Sequence, residues 1–143
     1  MLTTIEKLMF LNLVPSFADA ELEALKTLSE CARVERFQAG ETIFKQGDPG
    51  DRLCLVTEGR VALSLGERVL SVVGPREYFG EMALFDGKER SATAKAVLDT
   101  TLLVLDRTDF YRTGRSSPQL FVGVIRVLSE RLRRANEEVA GAA

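Results

Sequence analysis

The segment from Phe79 to Thr93, FGEMALFDGKERSAT, holds the residues most able to do chemistry. A Gly80-Glu81 pair stands at an expected helix start, and Arg90-Ser91-Ala92 follows nine residues after Glu81. Glycine lets a backbone approach a ligand closely, and free N–H groups at a helix start attract anions. Arg90 can make a paired contact to a phosphate or carboxylate, and Ser91 can add a hydroxyl donor. Glu81 would repel an anion, so its use is to accept hydrogen bonds from ligand hydroxyls. An anion on Arg and Ser beside hydroxyls on Glu describes a ribose phosphate. The plainer alternative is an exposed Glu81–Arg90 pair across a turn, worth about 0–1 kcal/mol. Gly80 could serve only the turn, and Ser91 only a strand start.

Composition narrows the function. The chain has 143 residues, an apolar fraction of 45%, a charged fraction of 28% and a net charge of −2. These values suit one globular domain and do not suggest a nucleic-acid binder. Histidine is absent, which removes Ser-His and Cys-His catalysis, His-ligated haem and most zinc sites. No enzymatic activity, metal or cofactor is therefore expected. Cys31 and Cys54 are expected as free thiols. No apolar run approaches the roughly 20 residues of a membrane span, and the N-terminus does not read as a signal peptide. The predicted place is the cytoplasm, or the cytoplasmic face of a membrane protein if the chain is a fragment, with no direct membrane insertion.

The elements that must position the segment follow from pattern. Thr3 and Glu6 form a capping box, Pro15 ends that helix, and Asp19 is the expected cap of a second helix with Leu22, Leu25 and Leu28 on one face. Strands are predicted at 34–37, 42–44, 53–57, 60–65, 69–73, 93–97 and 101–105. The turns between them carry Gly40, Gly47, Gly50, Gly59, Gly66 and Gly74. This density of short strands predicts an antiparallel β-roll of the jelly-roll type, with 81–84 as a short helical turn inside it. A turn at 109–113 should stop at Gly114. Ser117 should then cap a long helix with Pro118 in its first position. The expected organisation is one α+β domain over 1–143. It has N-terminal helices to about 31, the β-roll over 33–106 and C-terminal helices over 107–140.

In that order, from about Leu8 to Val139, the chain resembles a cyclic nucleotide-binding domain, the family of the catabolite activator protein and the regulatory subunits of cAMP-dependent kinase. The carrying residues are Phe79-Gly80-Glu81, Ala83-Leu84 and Arg90-Ser91-Ala92, with the turns Gln46-Gly47-Asp48, Glu58-Gly59 and Gly74-Pro75. The resemblance implies a ligand, cAMP or else cGMP. Arg90 should pair with the cyclic phosphate, with Ser91 and the N–H groups of Ala83 and Ala92 adding donors. Glu81 should accept from the ribose 2′-OH, with Gly80 leaving room. Met82 and Thr93 complete the expected site, Thr93 near base or ribose. The base should lie over Val61, Leu63 and Val73, toward the long helix. Relatives cap the base with a hydroxyl late in that helix; here the comparable region offers Asn136. Many also carry a helix-turn-helix beyond it. The chain ends at Ala143, so DNA binding is not expected.

Two further patterns concern partners. Phe121, Ile125, Leu128, Leu132, Ala135 and Val139 are spaced 4, 3, 4, 3, 4, a heptad seam. It suggests a homodimer, although such a stripe can equally pack on its own domain. Residues 107–134 hold seven arginines against Asp109 and Glu130, either an anion-facing surface or a solvated face with pairs such as Glu130–Arg134. The reading is a regulatory sensor, alone or within a larger effector, whose ligand moves the long helix. The alternative is a nucleotide-independent interaction domain of the same fold.

Overall fold

The computed structural model describes residues 2–142. Helix α1 (Thr4–Leu13) starts on the predicted capping box. Thr3 Oγ1 accepts from Glu6 N–H at 3.1 Å, and the Glu6 carboxylate accepts from Thr3 N–H at 3.2 Å. These bonds satisfy backbone donors that a helix start leaves unpaired. Helix α2 (Leu22–Cys31) begins after Glu21, not after Asp19. Asp19 instead accepts from Arg126 at 3.2 Å. Leu25 and Leu28 are buried as expected, but Leu22, in the first turn, points to solvent.

Eight strands follow the helices: β1 (Arg33–Phe37), β2 (Thr42–Phe44), β3 (Arg52–Glu58), β4 (Val61–Leu65), β5 (Arg68–Val73), β6 (Tyr78–Phe79), β7 (Thr93–Ala96) and β8 (Thr100–Asp106). They form two antiparallel sheets, β1-β8-β3-β6 and β2-β7-β4-β5. The pairs Cys54↔Val104 and Leu55↔Leu103 set the β3–β8 register. Alternation along these two strands creates two cores. Cys54, Val56, Leu102 and Val104 face the roll interior with Phe44 and Phe79. Leu53, Leu55, Leu103 and Leu105 face the helices with Phe17 and Phe110. Both central strands are therefore apolar on each face, and the helices are part of the fold's core.

Strand β6 was not expected. Its two residues give no alternation, yet they pair with Cys54 and Leu55 and lead directly into the functional segment. Helix α3 (Glu81–Asp86) sits between β6 and β7, two residues longer than the predicted turn.

Helix α4 (Arg107–Ser116) runs through Gly114. That glycine does not stop the helix; its bare backbone receives the Phe121 ring, and an added Cβ would collide with it. Helix α5 (Gln119–Ala142) starts just after Pro118. Ser117 does not cap it through its side chain: Ser117 Oγ is buried with no hydrogen-bond partner among the described residues, while Leu120 N–H donates to Ser117 O at 3.0 Å.

The first turns of α5 are docked by Leu120 and Val124, both fully buried and outside the predicted seam. Each contributes about 1.5–3 kcal/mol of burial. Phe121 belongs to this docked face, in an edge contact with Phe110, so it is not an exposed seam residue. Ile125, Leu132 and Val139 are exposed. Glu130 and Arg134 form no ion pair among the described residues. No helix described is long and apolar enough to cross a membrane.

Candidate functional site

Arg90 is the centre of the site. It follows β-bridge residue Glu89 and is anchored by its backbone: Arg90 N–H donates to Asp48 O at 2.8 Å, and Arg90 O accepts from Gly47 N–H at 2.9 Å. The Gly47-Asp48 turn therefore sets where the side chain enters. Only 4% of Arg90 is exposed. Its Nη1 donates to Gly80 O at 3.2 Å and its Nη2 to Arg52 O at 3.0 Å. The guanidinium lies over the Phe44 ring, 4.1 Å from the centroid.

Those partners hold the cation without neutralising it. Arg90 takes part in no ion pair among the described residues, and its Nε is buried without a partner. The predicted alternative, a Glu81–Arg90 pair, is not formed. Burial pushes the Arg90 guanidinium below its ordinary pKa, because desolvation penalises the charged form. A buried cation held by carbonyls and a ring, next to a cavity, has the chemistry to receive an anion.

The cavity beside it measures about 70 Å³ and is lined by Gly80, Glu81, Met82, Ala83, Arg90, Ser91 and Ala92, with Phe44 and Leu63. Seven of the eight residues named from sequence thus meet at one place. Gly80 is needed there for shape. Its φ is +89°, and an added Cβ would stand 2.6 Å from Arg90 Nη1 and 2.9 Å from Arg52 O. A side chain would displace the guanidinium. Ser91 is exposed at the rim, its hydroxyl 4.0 Å from Met82 Sδ. Thr93 stands outside this lining; its hydroxyl accepts from Gln46 N–H at 3.0 Å and secures the turn before Arg90.

Glu81 faces two ways. It lines the anion cavity and also an adjoining groove of about 490 Å³ between β5 and α5. Its carboxylate accepts from Arg131 Nη1 of α5 at 3.0 Å. Arg131 also lies over the Tyr78 ring at 5.1 Å. Tyr78 is pinned in turn by a hydroxyl–hydroxyl bond to Ser16 at 2.5 Å. Burial raises the Tyr78 pKa against the effect of that bond, so the phenol stays a neutral partner.

Of the three strand residues expected beneath a base, Leu63 lines both spaces and Val73 lines the groove. Val61 does not; it is fully buried in the roll interior. Asn136 does not line the groove either. The α5 residues that do are Arg131, Arg134, Ala135 and Glu138. Sequence reasoning missed Phe44, Arg52 and Arg131. Phe44 carried only a strand signal, Arg52 acts through its carbonyl, and Arg131 lies fifty residues from its partner.

A family model described as "Cyclic nucleotide-binding domain" matches residues 34–117. The chain is 45% identical over 108 residues to the cyclic AMP receptor protein of Thermus thermophilus, covering 72% of this chain and 50% of that one. It is 30% identical over 129 residues to a CRP-like cAMP-activated global transcriptional regulator of Mycobacterium tuberculosis, covering 87% of this chain and 58% of that one. The crystal structure of the Thermus thermophilus catabolite activator protein superposes with a TM-score of 0.79 at 40% identity, over 88% of this chain and 62% of that chain. This chain belongs to the cyclic nucleotide-binding domain family. It spans between 50% and 58% of the length of these curated relatives.

Proposed function

We propose that the chain is a sensor that binds a cyclic nucleotide, cAMP by preference and cGMP otherwise, and carries out no reaction of its own. The observation that carries this reading is Arg90, a buried guanidinium with no carboxylate partner among the described residues, facing a cavity that Glu81 also lines. Arg90 takes the cyclic phosphate, with Ser91 and the N–H groups of Ala83 and Ala92 as further donors. Glu81 takes the ribose 2′-OH through the carboxylate oxygen that Arg131 leaves free. Gly80 and Met82 shape the wall, and Thr93 acts indirectly by holding the turn at Gln46.

Signalling through α5 is part of the same proposal. Only the first turns of α5 are anchored in the core, whereas its second half meets the site through Arg131. A ligand that changes the setting of Glu81 then changes the α5 equilibrium, by as much as its affinities for the two settings differ. The exposed positions Ile125, Leu132 and Val139, with half-buried Leu128, suit a homodimer through α5. Whatever effector hears the signal would join through that helix. Two free cysteines fit a cytoplasmic place of work.

Thermal melting tests the reading. A ligand that binds only the folded state stabilises it by about 2.7 kcal/mol at a hundredfold excess over Kd. A rise in melting temperature is expected with cAMP. No rise at millimolar cAMP or cGMP would favour the nucleotide-independent interaction domain instead.

A further inference from the structure

A separate cavity, of about 310 Å³, lies between the start of α2 and the end of α4. Small-molecule sites run from roughly 300 to 1,000 Å³, so it has room for a small ligand. None of its lining residues belongs to the Arg90 cavity or to the groove beside α5. Thr113 and Ser117 line it from the α4 side and are 5% and 2% exposed. Thr113 Oγ1 and Ser117 Oγ are both buried, and neither has a hydrogen-bond partner among the described residues. A helical threonine can turn its hydroxyl back onto a carbonyl of the preceding turn, but Thr113 does not. Buried polar groups without partners are uncommon, because each forfeits its hydration. Two of them line this one cavity.

The remaining polar groups set the charge of the cavity. Arg112 is held by Asp109 at 2.7 Å, and the Thr27 hydroxyl donates to Glu23 O at 3.0 Å. Ser116 is exposed and adds a neutral hydroxyl. Glu21 and Glu23 are exposed and form no ion pair among the described residues. A first helical turn favours carboxylates in any case, so the two acids alone would carry nothing. Beside two unpartnered hydroxyls they make a set of oxygen acceptors with net negative charge. The last turn of α4, the negative end of its dipole, adds to that field.

We propose that this cavity binds the primary ammonium group of a small amine. An alkylammonium carries three N–H donors and no acceptor. Thr113 Oγ1 and Ser117 Oγ accept two of the three bonds. A carboxylate of Glu21 or Glu23 accepts the third and matches the charge. The inference does not depend on the cyclic nucleotide reading.

NMR titration of the whole chain with butylamine, at constant ionic strength, tests the site. Amide signals of residues 21–27 and 113–117 should shift and saturate. Tetramethylammonium carries the charge without N–H donors and should give no saturable shift. Thr113→Val keeps the side-chain shape without the hydroxyl and should weaken butylamine binding by about tenfold. Ser117→Ala should do the same, and keeps the test open if Thr113→Val does not fold. Without amine, neither folded variant should melt lower than wild type, because the lost hydroxyl had no partner. Tighter binding of Nα-acetyl-lysine amide than of butylamine would assign the ammonium to a lysine of a partner protein rather than to a free amine. Absence of saturation by either amine in wild type overturns the proposal. So does equal affinity for tetramethylammonium, or unchanged butylamine affinity in a folded hydroxyl variant.

Discussion

The Arg131 guanidinium and the Glu81 carboxylate meet at 3.0 Å, joining the middle of α5 to the first residue of α3 across fifty positions of chain. Glu81 lines both the cavity beside Arg90 and the groove, and Arg131 lines the groove. Glu81 is mostly buried and Arg131 is about a third exposed, at 12% and 37% of side-chain surface. Solvent screening limits such a pair to about 1 kcal/mol. Arg131→Gln should therefore cost little global stability. It should release the second half of α5, which few core contacts hold. Hydrogen exchange of the amides of residues 131–142 should accelerate, and those of 120–128 should not. Unchanged exchange beyond residue 131 would show that the pair does not hold the helix.

Phe44 supports Arg90 from below with its ring face. Phe44→Leu keeps an apolar side chain in the roll but removes the face. A desolvated cation–π contact is worth about 1–2 kcal/mol. Affinity for the cyclic nucleotide should fall by a similar amount in Phe44→Leu, with the melting temperature only slightly lower. Full retention of affinity would mean that the Gly80 and Arg52 carbonyls alone set the guanidinium.

Much of this arrangement was legible in the sequence, for physical reasons that also explain the gaps. Strands of three residues or more declared themselves as short β-type runs bounded by glycine-bearing turns. Tyr78-Phe79 was too short to alternate. The eight predicted site residues, from Gly80 to Thr93, are close in sequence, so a local motif could place all but Thr93 at one cavity. Gly114 read as a helix stop because its packing partner, Phe121, lies beyond the helix that runs through it. Leu120 and Val124 were passed over because a heptad count selects one stripe and cannot say which stripe faces the core. The Arg131–Glu81 contact has no local signature. It depends on α4 and α5 folding back over the roll.

Cys54 is fully enclosed beside Phe79 and Val104, and burial pushes its thiol up to about 11 despite the nearby Arg90 and Arg52 charges. A thiol that ionises later in the folded state favours folding fully below pH 9. That contribution is lost between about pH 9 and pH 11, so stability should fall as pH rises through this window, by a few kcal/mol at most. In native protein at pH 8, a thiol-reactive probe should modify half-buried Cys31 and leave Cys54 untouched. Both should react in denaturant. Equal labelling of the two in the native state would contradict the buried placement.

The apolar positions Ile125, Leu132 and Val139 recur every seven residues on the exposed side of α5. A strict period of this kind is the geometry of a two-helix seam. Sedimentation should show a dimer for the wild type and a monomer for Leu132→Glu, with the monomer still folded. A wild type that sediments as a monomer at high micromolar concentration would assign the stripe to another partner.

The central claim is that a buried, unneutralised Arg90 exists to receive a cyclic phosphate. Isothermal titration of wild type and Arg90→Ala with cAMP and cGMP tests it most directly, with circular dichroism confirming that both are folded. Wild type should bind cAMP at one site per chain, and Arg90→Ala should lose about 2–5 kcal/mol of that binding. Equal binding heats from the two folded proteins would contradict the account.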